Sequence, residues 1–216
     1  MSFSVVFDMD GVIFDTETAG LKAWVSVGKR YGLENVEQNA RTCIGRSTKD
    51  SMAIMQSAYP GMDIEALKNE CIAEFKRILM TEGLKLKEGA NDLLRWLKAN
   101  GIKTAIASST EYKGVMSHLK TAGIDEYFGT VIGGDMVTNS KPEPEIYLKA
   151  CAALGEAPAD CFAIEDSNNG IISAHRAGMR ALLVPDIVEN TPEVKAMAER
   201  EFVSLAEVLQ FFETLV

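Results

Sequence analysis

The chain has 216 residues, 47% hydrophobic and 25% charged, with a formal net charge of −9. That length can bury a core without staples, and the acidic balance argues against a chain-wide cationic face for nucleic acid. Cys43, Cys71, Cys151 and Cys161 form no CxxC pair, and His118 and His175 are too few for a His-rich site, so any metal here is expected to be hard and oxygen-ligated.

The first residues carry no basic n-region and no long apolar stretch, so neither a signal peptide nor a membrane span is expected and the default location is the cytoplasm. Phe3–Phe7 is a short apolar run that stops at Asp8, the pattern of a buried parallel strand. Asp15-Thr16-Glu17-Thr18 reads as a helix start, with periodicity to about Tyr31. Thr48–Ala58 and Ile64–Met80 carry apolar residues at helical spacing, separated by Tyr59-Pro60-Gly61. From Gly83 the character changes. Ala90–Ala99 predicts a helix closed by Asn100-Gly101, Ile102–Ala107 a strand, Tyr112–Ala122 a helix and Val131-Ile132 a short strand. Pro144–Leu154 predicts a helix, Cys161–Ile164 a strand, Ile171–Ala177 a helix, Ala181–Val184 a strand and Leu205–Leu215 a final helix. This alternation predicts an α/β fold, a doubly wound parallel sheet. Residues 1–15 and 83–216 form its α/β core domain, and residues 16–82 an all-helical domain inserted after the first strand.

Four polar clusters fall at predicted strand ends: Asp8-Met9-Asp10, Ser108-Ser109, Lys141 and Glu165-Asp166. In open α/β sheets ligands bind at the carboxyl ends of strands, so clusters far apart in sequence would converge there. Asp8 and Asp10 can face one site from extended backbone. Gly11 permits a tight turn and lets main-chain N–H groups approach an anion. Two adjacent acids want a cation or a shared proton, and Asp166 would complete an oxygen cage suited to Mg²⁺. Lys141 supplies a compact charge for a phosphate, and Ser108 a hydroxyl donor at a strand mouth.

Taken together these residues resemble the haloacid dehalogenase superfamily of phosphotransferases. Asp8-Met9-Asp10-Gly11-Val12-Ile13 is similar to its first motif and Ala107-Ser108-Ser109 to its second. Lys141-Pro142-Glu143-Pro144 is similar to the third, and Glu165-Asp166-Ser167 with Gly170 to the fourth. The helical insert and the Lys-Pro-x-Pro form resemble the subfamily of β-phosphoglucomutase and sugar-phosphate phosphatases. The resemblance implies a Rossmann-like core with a helical cap, acting on a small phosphorylated metabolite. It implies that Asp8 attacks phosphorus to form an aspartyl-phosphate, and that Asp10 serves as acid and then base. It implies Mg²⁺ held by the Asp8 carboxylate, the Asp10 main-chain carbonyl and Asp166, with Glu165 behind the metal waters. Gly11, Ser108, Ser109 and Lys141 would hold the phosphoryl group, and Lys141 would also neutralise Asp8.

Dehalogenases of the family lack the second acid, so Asp10 argues for phosphoryl chemistry. The mutases carry a histidine where this chain has Gly20, and an arginine at a cap position read here as Thr48. Both departures favour a phosphatase over a mutase, with a non-catalytic phospho-ligand binder as the alternative of another class. Trp24, Arg46, Lys49 and Lys76 are the candidate substrate contacts from the cap. Neither nucleic acid nor membrane is expected as a partner, and a capped domain of this size can be a monomer.

Overall fold

The computed structural model describes residues 3–216. Its sheet is built from β1 (Ser4–Phe7), β2 (Thr104–Ala107), β3 (Thr130–Ile132), β4 (Cys161–Glu165), β5 (Arg180–Leu183) and β6 (Arg200–Glu201). Every neighbouring pair is parallel, in the order β3-β2-β1-β4-β5-β6. β1 is therefore central, flanked by β2 and β4, and the ends of these three strands place Asp8, Ser108 and Glu165-Asp166 side by side.

Alternation along the strands feeds two cores, as a sheet covered on both faces requires. Val5, Phe7, Ile106, Phe162, Ile164 and Leu182 pack with α5 (Ala90–Ala99), α6 (Tyr112–Ala122) and α10 (Leu205–Glu213). Val6, Ala105, Ala107, Ala163 and Leu183 pack on the other face with α7 (Glu145–Leu154), α8 (Asn168–Arg176) and α9 (Pro192–Lys195). Alanines at Ala105, Ala107 and Ala163 let α7 approach closely enough for Tyr147 to be fully buried beside them.

Between β1 and α5 the chain forms α1 (Thr16–Arg30), α2 (Val36–Arg41), α3 (Thr48–Ala58) and α4 (Ile64–Glu82). These helices have a core of their own, with Val27, Met55, Ile64, Leu67 and Cys71 buried together. Ser47 accepts from the Asp50 amide at 3.2 Å to cap α3, and Asp63 from the Ala66 amide at 3.0 Å to cap α4. The two crossings into and out of this segment pair with each other: Phe14 bridges Leu86, and the Lys87 amide donates to the Ile13 carbonyl at 2.9 Å.

The predicted elements differ from the observed ones mainly at their ends. α8 begins at Asn168 rather than Ile171, because Ser167 caps it by accepting from the Gly170 amide at 3.1 Å. Three short elements had no periodicity to announce them: α2, α9 and the exposed two-residue β6.

Candidate active site

Asp8 directly follows β1 and is buried. Lys141 follows β3 through the connecting loop and lies buried against it, its Nζ 2.6 Å from Asp8 Oδ1, 2.6 Å from Glu165 Oε1 and 3.0 Å from the Ala107 carbonyl. Those three acceptors use all three protons of the ammonium. Burial would lower the Lys141 pKa, but the charges of Asp8 and Glu165 outweigh it and hold the ammonium above the ordinary lysine range.

Glu165 is the hub beneath the site. Its Oε1 also accepts from Tyr147 Oη at 2.7 Å, and its Oε2 from the Asp166 amide at 3.1 Å, the Ser167 amide at 3.3 Å and Ser167 Oγ at 3.1 Å. Gly170 on α8 makes this arrangement possible, because a Cβ there would fall on the Glu165 carboxylate. Burial and the nearby Glu165 and Asp8 charges raise the Tyr147 pKa, so its hydroxyl remains a donor.

Asp10 is held by hydroxyls. Thr16 Oγ1 donates to its Oδ1 at 2.6 Å, while Thr110 Oγ1 at 2.8 Å and Ser108 Oγ at 3.2 Å donate to Oδ2. Ser108, expected to face a phosphoryl group, is fully buried with its hydroxyl turned to Asp10; Ser109 and Thr110 line the cavity instead. Gly11 also departs from expectation. Its amide donates to the Phe14 carbonyl at 2.9 Å, which leaves the Met9 and Asp10 amides without partners among the described residues. At φ +82°, Gly11 serves by lacking a Cβ, which would collide with Asp166.

Asp8, Glu165 and Asp166, all buried, each offer a carboxylate oxygen, and these oxygens lie within 4.8 Å of one another. Three buried carboxylates against one lysine leave an excess of negative charge. Burial, then the Lys141-opposed charges of Glu165 and Asp10, leave the Asp8 pKa at about 8. Burial followed by Glu165, Asp8, Glu17 and Asp186 raises Asp166. An all-oxygen, electron-rich set of this kind suits a hard divalent cation. Glu165 already spends both oxygens on protein donors, whereas the Asp166 carboxylate accepts no hydrogen bond from the described residues. The donor set therefore fits Mg²⁺ on Asp8 and Asp166 better than on Glu165.

Above these groups lies a cavity of about 320 Å³, closed on its far side by α1, α3 and α4. Trp24, Leu21, Met52, Ile72 and Phe75 make its wall apolar, and Glu17, Arg46 and Lys68 add charge. Of the four candidate contacts from this segment, Trp24 and Arg46 line the cavity. Lys49 and Lys76 do not and are exposed: Lys49 sits in the first turn of α3, and Lys76 is turned about 100° along α4 from the inward-facing Phe75. From α4 it is Lys68, two turns before Phe75 on the same face, that lines the cavity. Glu17, Thr16, Thr110, Tyr147 and Asp186 are polar contributors that were not anticipated. Glu17 is half-buried, and desolvation with the charges of Asp10, Asp8 and Asp186 pushes it up to about 8.

The family model for haloacid dehalogenase-like hydrolases matches residues 5–184. A phosphorylated carbohydrates phosphatase from Thermotoga maritima is 32% identical over 213 residues, 98% of this chain and 97% of its own length. A validoxylamine A 7′-phosphate phosphatase from Streptomyces hygroscopicus is 28% identical, with 91% and 90% covered. CbbY from Rhodobacter sphaeroides in complex with phosphate is 27% identical, superposes with a TM-score of 0.78 and covers 96% of each chain. A β-phosphoglucomutase from Clostridium difficile shares the fold at a TM-score of 0.82, with 23% identity and coverage of 99% and 96%.

Proposed function

The chain belongs to the haloacid dehalogenase-like hydrolases and is a phosphohydrolase; from that premise we propose that it hydrolyses a small phosphate monoester, of sugar-phosphate type, through an aspartyl-phosphate on Asp8. The observation that carries this reading is the pairing of two unlike carboxyls at one cavity floor. Asp8 is aligned by Lys141 and has a second oxygen free of that contact, while Asp10, two residues on, is held by three hydroxyls. Asp8 Oδ2 attacks phosphorus as the ester oxygen leaves; Asp10 gives that oxygen its proton, then takes one from the water that attacks the acyl phosphate. Lys141, with its three donors committed, orients and neutralises Asp8 rather than gripping the phosphoryl group. The Met9 and Asp10 amides and the Ser109 hydroxyl are the donors left for the phosphoryl oxygens.

Asp8, Asp166 and the Asp10 carbonyl would hold Mg²⁺, with Glu165 braced behind them. When bound, that ion supplies positive charge against the phosphoryl oxygens. Residues 16–82 act as a cap that shields the intermediate and reads the leaving group. Their apolar wall, with Trp24 and Phe75, suits the less polar face of a sugar ring, and Glu17 and Arg46 suit its hydroxyls.

The same reading sets phosphatase above mutase. A Cβ built at Gly20, which lines the cavity, would meet nothing within 4 Å, so no side chain there links the cap to Asp10. The test is a screen of phosphorylated metabolites for phosphate release with Mg²⁺, including β-glucose 1-phosphate with a trace of glucose 1,6-bisphosphate. Free phosphate is the expected product. Rapid conversion to glucose 6-phosphate with negligible phosphate release would make the chain a mutase.

A further inference from the structure

We propose that Asp186, fixed by Lys87, is a positioning residue that accepts a hydrogen bond from a water on the Mg²⁺ carried by Asp8 and Asp166. The proposal rests on the metal reading above and adds a residue to it. Asp186 lies three residues past the end of β5, and its side chain is 7% exposed. Lys87 Nζ binds its Oδ1 at 2.5 Å, but its Oδ2 is buried and has no partner among the described residues. An unpartnered buried carboxylate oxygen is costly unless something donates to it.

Its surroundings say what that donor is. A Cβ added at Gly11 would collide with Asp166 Oδ2 and sit 3.2 Å from Asp186 Oδ2, so the two free oxygens crowd the same point. Asp186 is not among the three carboxylates whose oxygens lie within 4.8 Å of one another, which places it outside direct ligation. Mg²⁺ keeps several of its waters when bound by one or two carboxylates. A water reaching from the ion to Asp186 would satisfy both partners.

The loop that carries Asp186 is braced for this task. Asn190 Nδ2 donates to the Asp166 carbonyl at 2.8 Å, tying the loop to the metal-side carboxylate. Arg41 of α2 donates to the Ile187 carbonyl at 3.2 Å. Lys87 lies on the extended segment that returns from the helical insertion, where its amide donates to the Ile13 carbonyl. The Asp186 carboxylate is thus aimed by both crossings of the chain into the insertion, not by its own loop alone.

The experiment is calorimetric titration of the metal-free full-length chain with Mg²⁺ alone, alongside thermal melts with and without the ion. Asp186→Asn should weaken Mg²⁺ binding by ~10–100-fold, the range for residues that hold metal ligands or waters in place. Its metal-free melting temperature should stay level or rise, since a carboxylate is removed from beside Asp166 and Glu17. A purely structural ion pair with Lys87 predicts the reverse, a lower metal-free melting temperature with Mg²⁺ affinity within about twofold, and that result overturns the inference. If Asp186→Asn does not fold, Asp186→Ser takes its place under the same criteria. Wild-type protein that binds no Mg²⁺ at millimolar concentration would instead bring down the metal reading, and this inference with it.

Discussion

Gly170→Ala adds one methyl group at the point where the site is tightest. The new Cβ would fall on the carboxylate carbon and both oxygens of Glu165. Glu165 is fully buried and accepts from Lys141, Tyr147, the Asp166 and Ser167 amides and Ser167 Oγ, so it cannot step aside without breaking contacts. If α8 moves instead, the strain is that of an overpacked core, about 1–3 kcal/mol. If Glu165 moves, Lys141 loses one of its two counter-charges, and breaking a buried pair costs about 3–5 kcal/mol. A loss of about 3 kcal/mol corresponds to a fall of ~6–12 °C in melting temperature for a chain of this size. The matched control is Gly20→Ala, a helical glycine with open space around it, which should gain roughly 1 kcal/mol from helix propensity. Differential scanning calorimetry of both variants, paired with kcat on the best substrate, reads the outcome. Gly170→Ala should also lose at least about tenfold in kcat, the effect of roughly 1.4 kcal/mol of lost transition-state stabilisation. A Gly170→Ala protein that melts at or above wild type with full activity would refute the reasoning.

Asp8→Asn should abolish turnover while leaving the fold intact, with deamidation excluded by mass spectrometry; wild-type rates in that variant would remove Asp8 as nucleophile. EDTA should remove phosphatase activity and Mg²⁺ restore it, whereas Ca²⁺, which takes ~6–8 oxygen ligands, should inhibit by engaging both Asp8 oxygens; undiminished turnover after exhaustive chelation would contradict this. Metal-free protein should lose stability as pH rises from about 5 to 8. Asp8 and Glu17 titrate at about 8 in the fold. The unfolded chain releases those protons from about pH 4, so the folded state binds more protons across the window and stability falls with pH. Partly buried carboxylates held low by hydrogen bonds, such as Glu74 and Glu145 at about 2, are ionised in both states across most of that window and contribute little. Melting temperatures in EDTA that rise between pH 5 and 8 would show that these carboxyls are not under the strain described.

Much of this site was legible because its chemistry sits where strands stop. Apolar runs ending in Asp8, Ser108 and Glu165-Asp166 need only the rule that parallel strands point the same way to bring those residues together. Lys141, expected at a strand end, instead lies nine residues past the end of β3, and only the path of the connecting loop brings it to Asp8. What the sequence hid depends on contacts between distant segments. Tyr147 has the spacing of a core residue on α7 and is one; that its hydroxyl also meets Glu165 depends on the depth of α7 against β1 and β2. Asp186 is an ordinary loop acid until Lys87, 99 positions away, binds it. Thr110 and Thr16 owe their roles to Asp10 turning toward them. The misplaced lysines have a simpler cause: helical periodicity gives a face, but which face meets the cavity is fixed only by packing, and α4 presents Phe75 and Lys68 while Lys76 looks outward. The Ser167-Asn168-Asn169-Gly170 start of α8 was readable as a serine cap, and apolar periodicity alone placed that helix three residues late.

The hydrogen-bond accounting also divides the work among the charged groups. Lys141 has no proton to spare, Glu165 no lone pair that is not already used, and Ser108 has given its hydroxyl to Asp10. Groups with unused capacity at or beside the cavity floor include the Met9 and Asp10 amides, Ser109, Asp8 Oδ2, and the acceptors Asp166 and Asp186. Three of those are carboxylates, and Glu17 faces them from the helical side. A phosphate dianion entering this cavity alone meets more negative charge than the amides can offset. On the proposed reading, a divalent cation on Asp8 and Asp166 would offset much of that negative charge, and the same amides would then orient phosphorus in front of Asp8. On that reading the acidic chain would recognise phosphate through the ion, and Lys141, buried beneath, opposes the burial that raises the Asp8 pKa and keeps the carboxylate aimed.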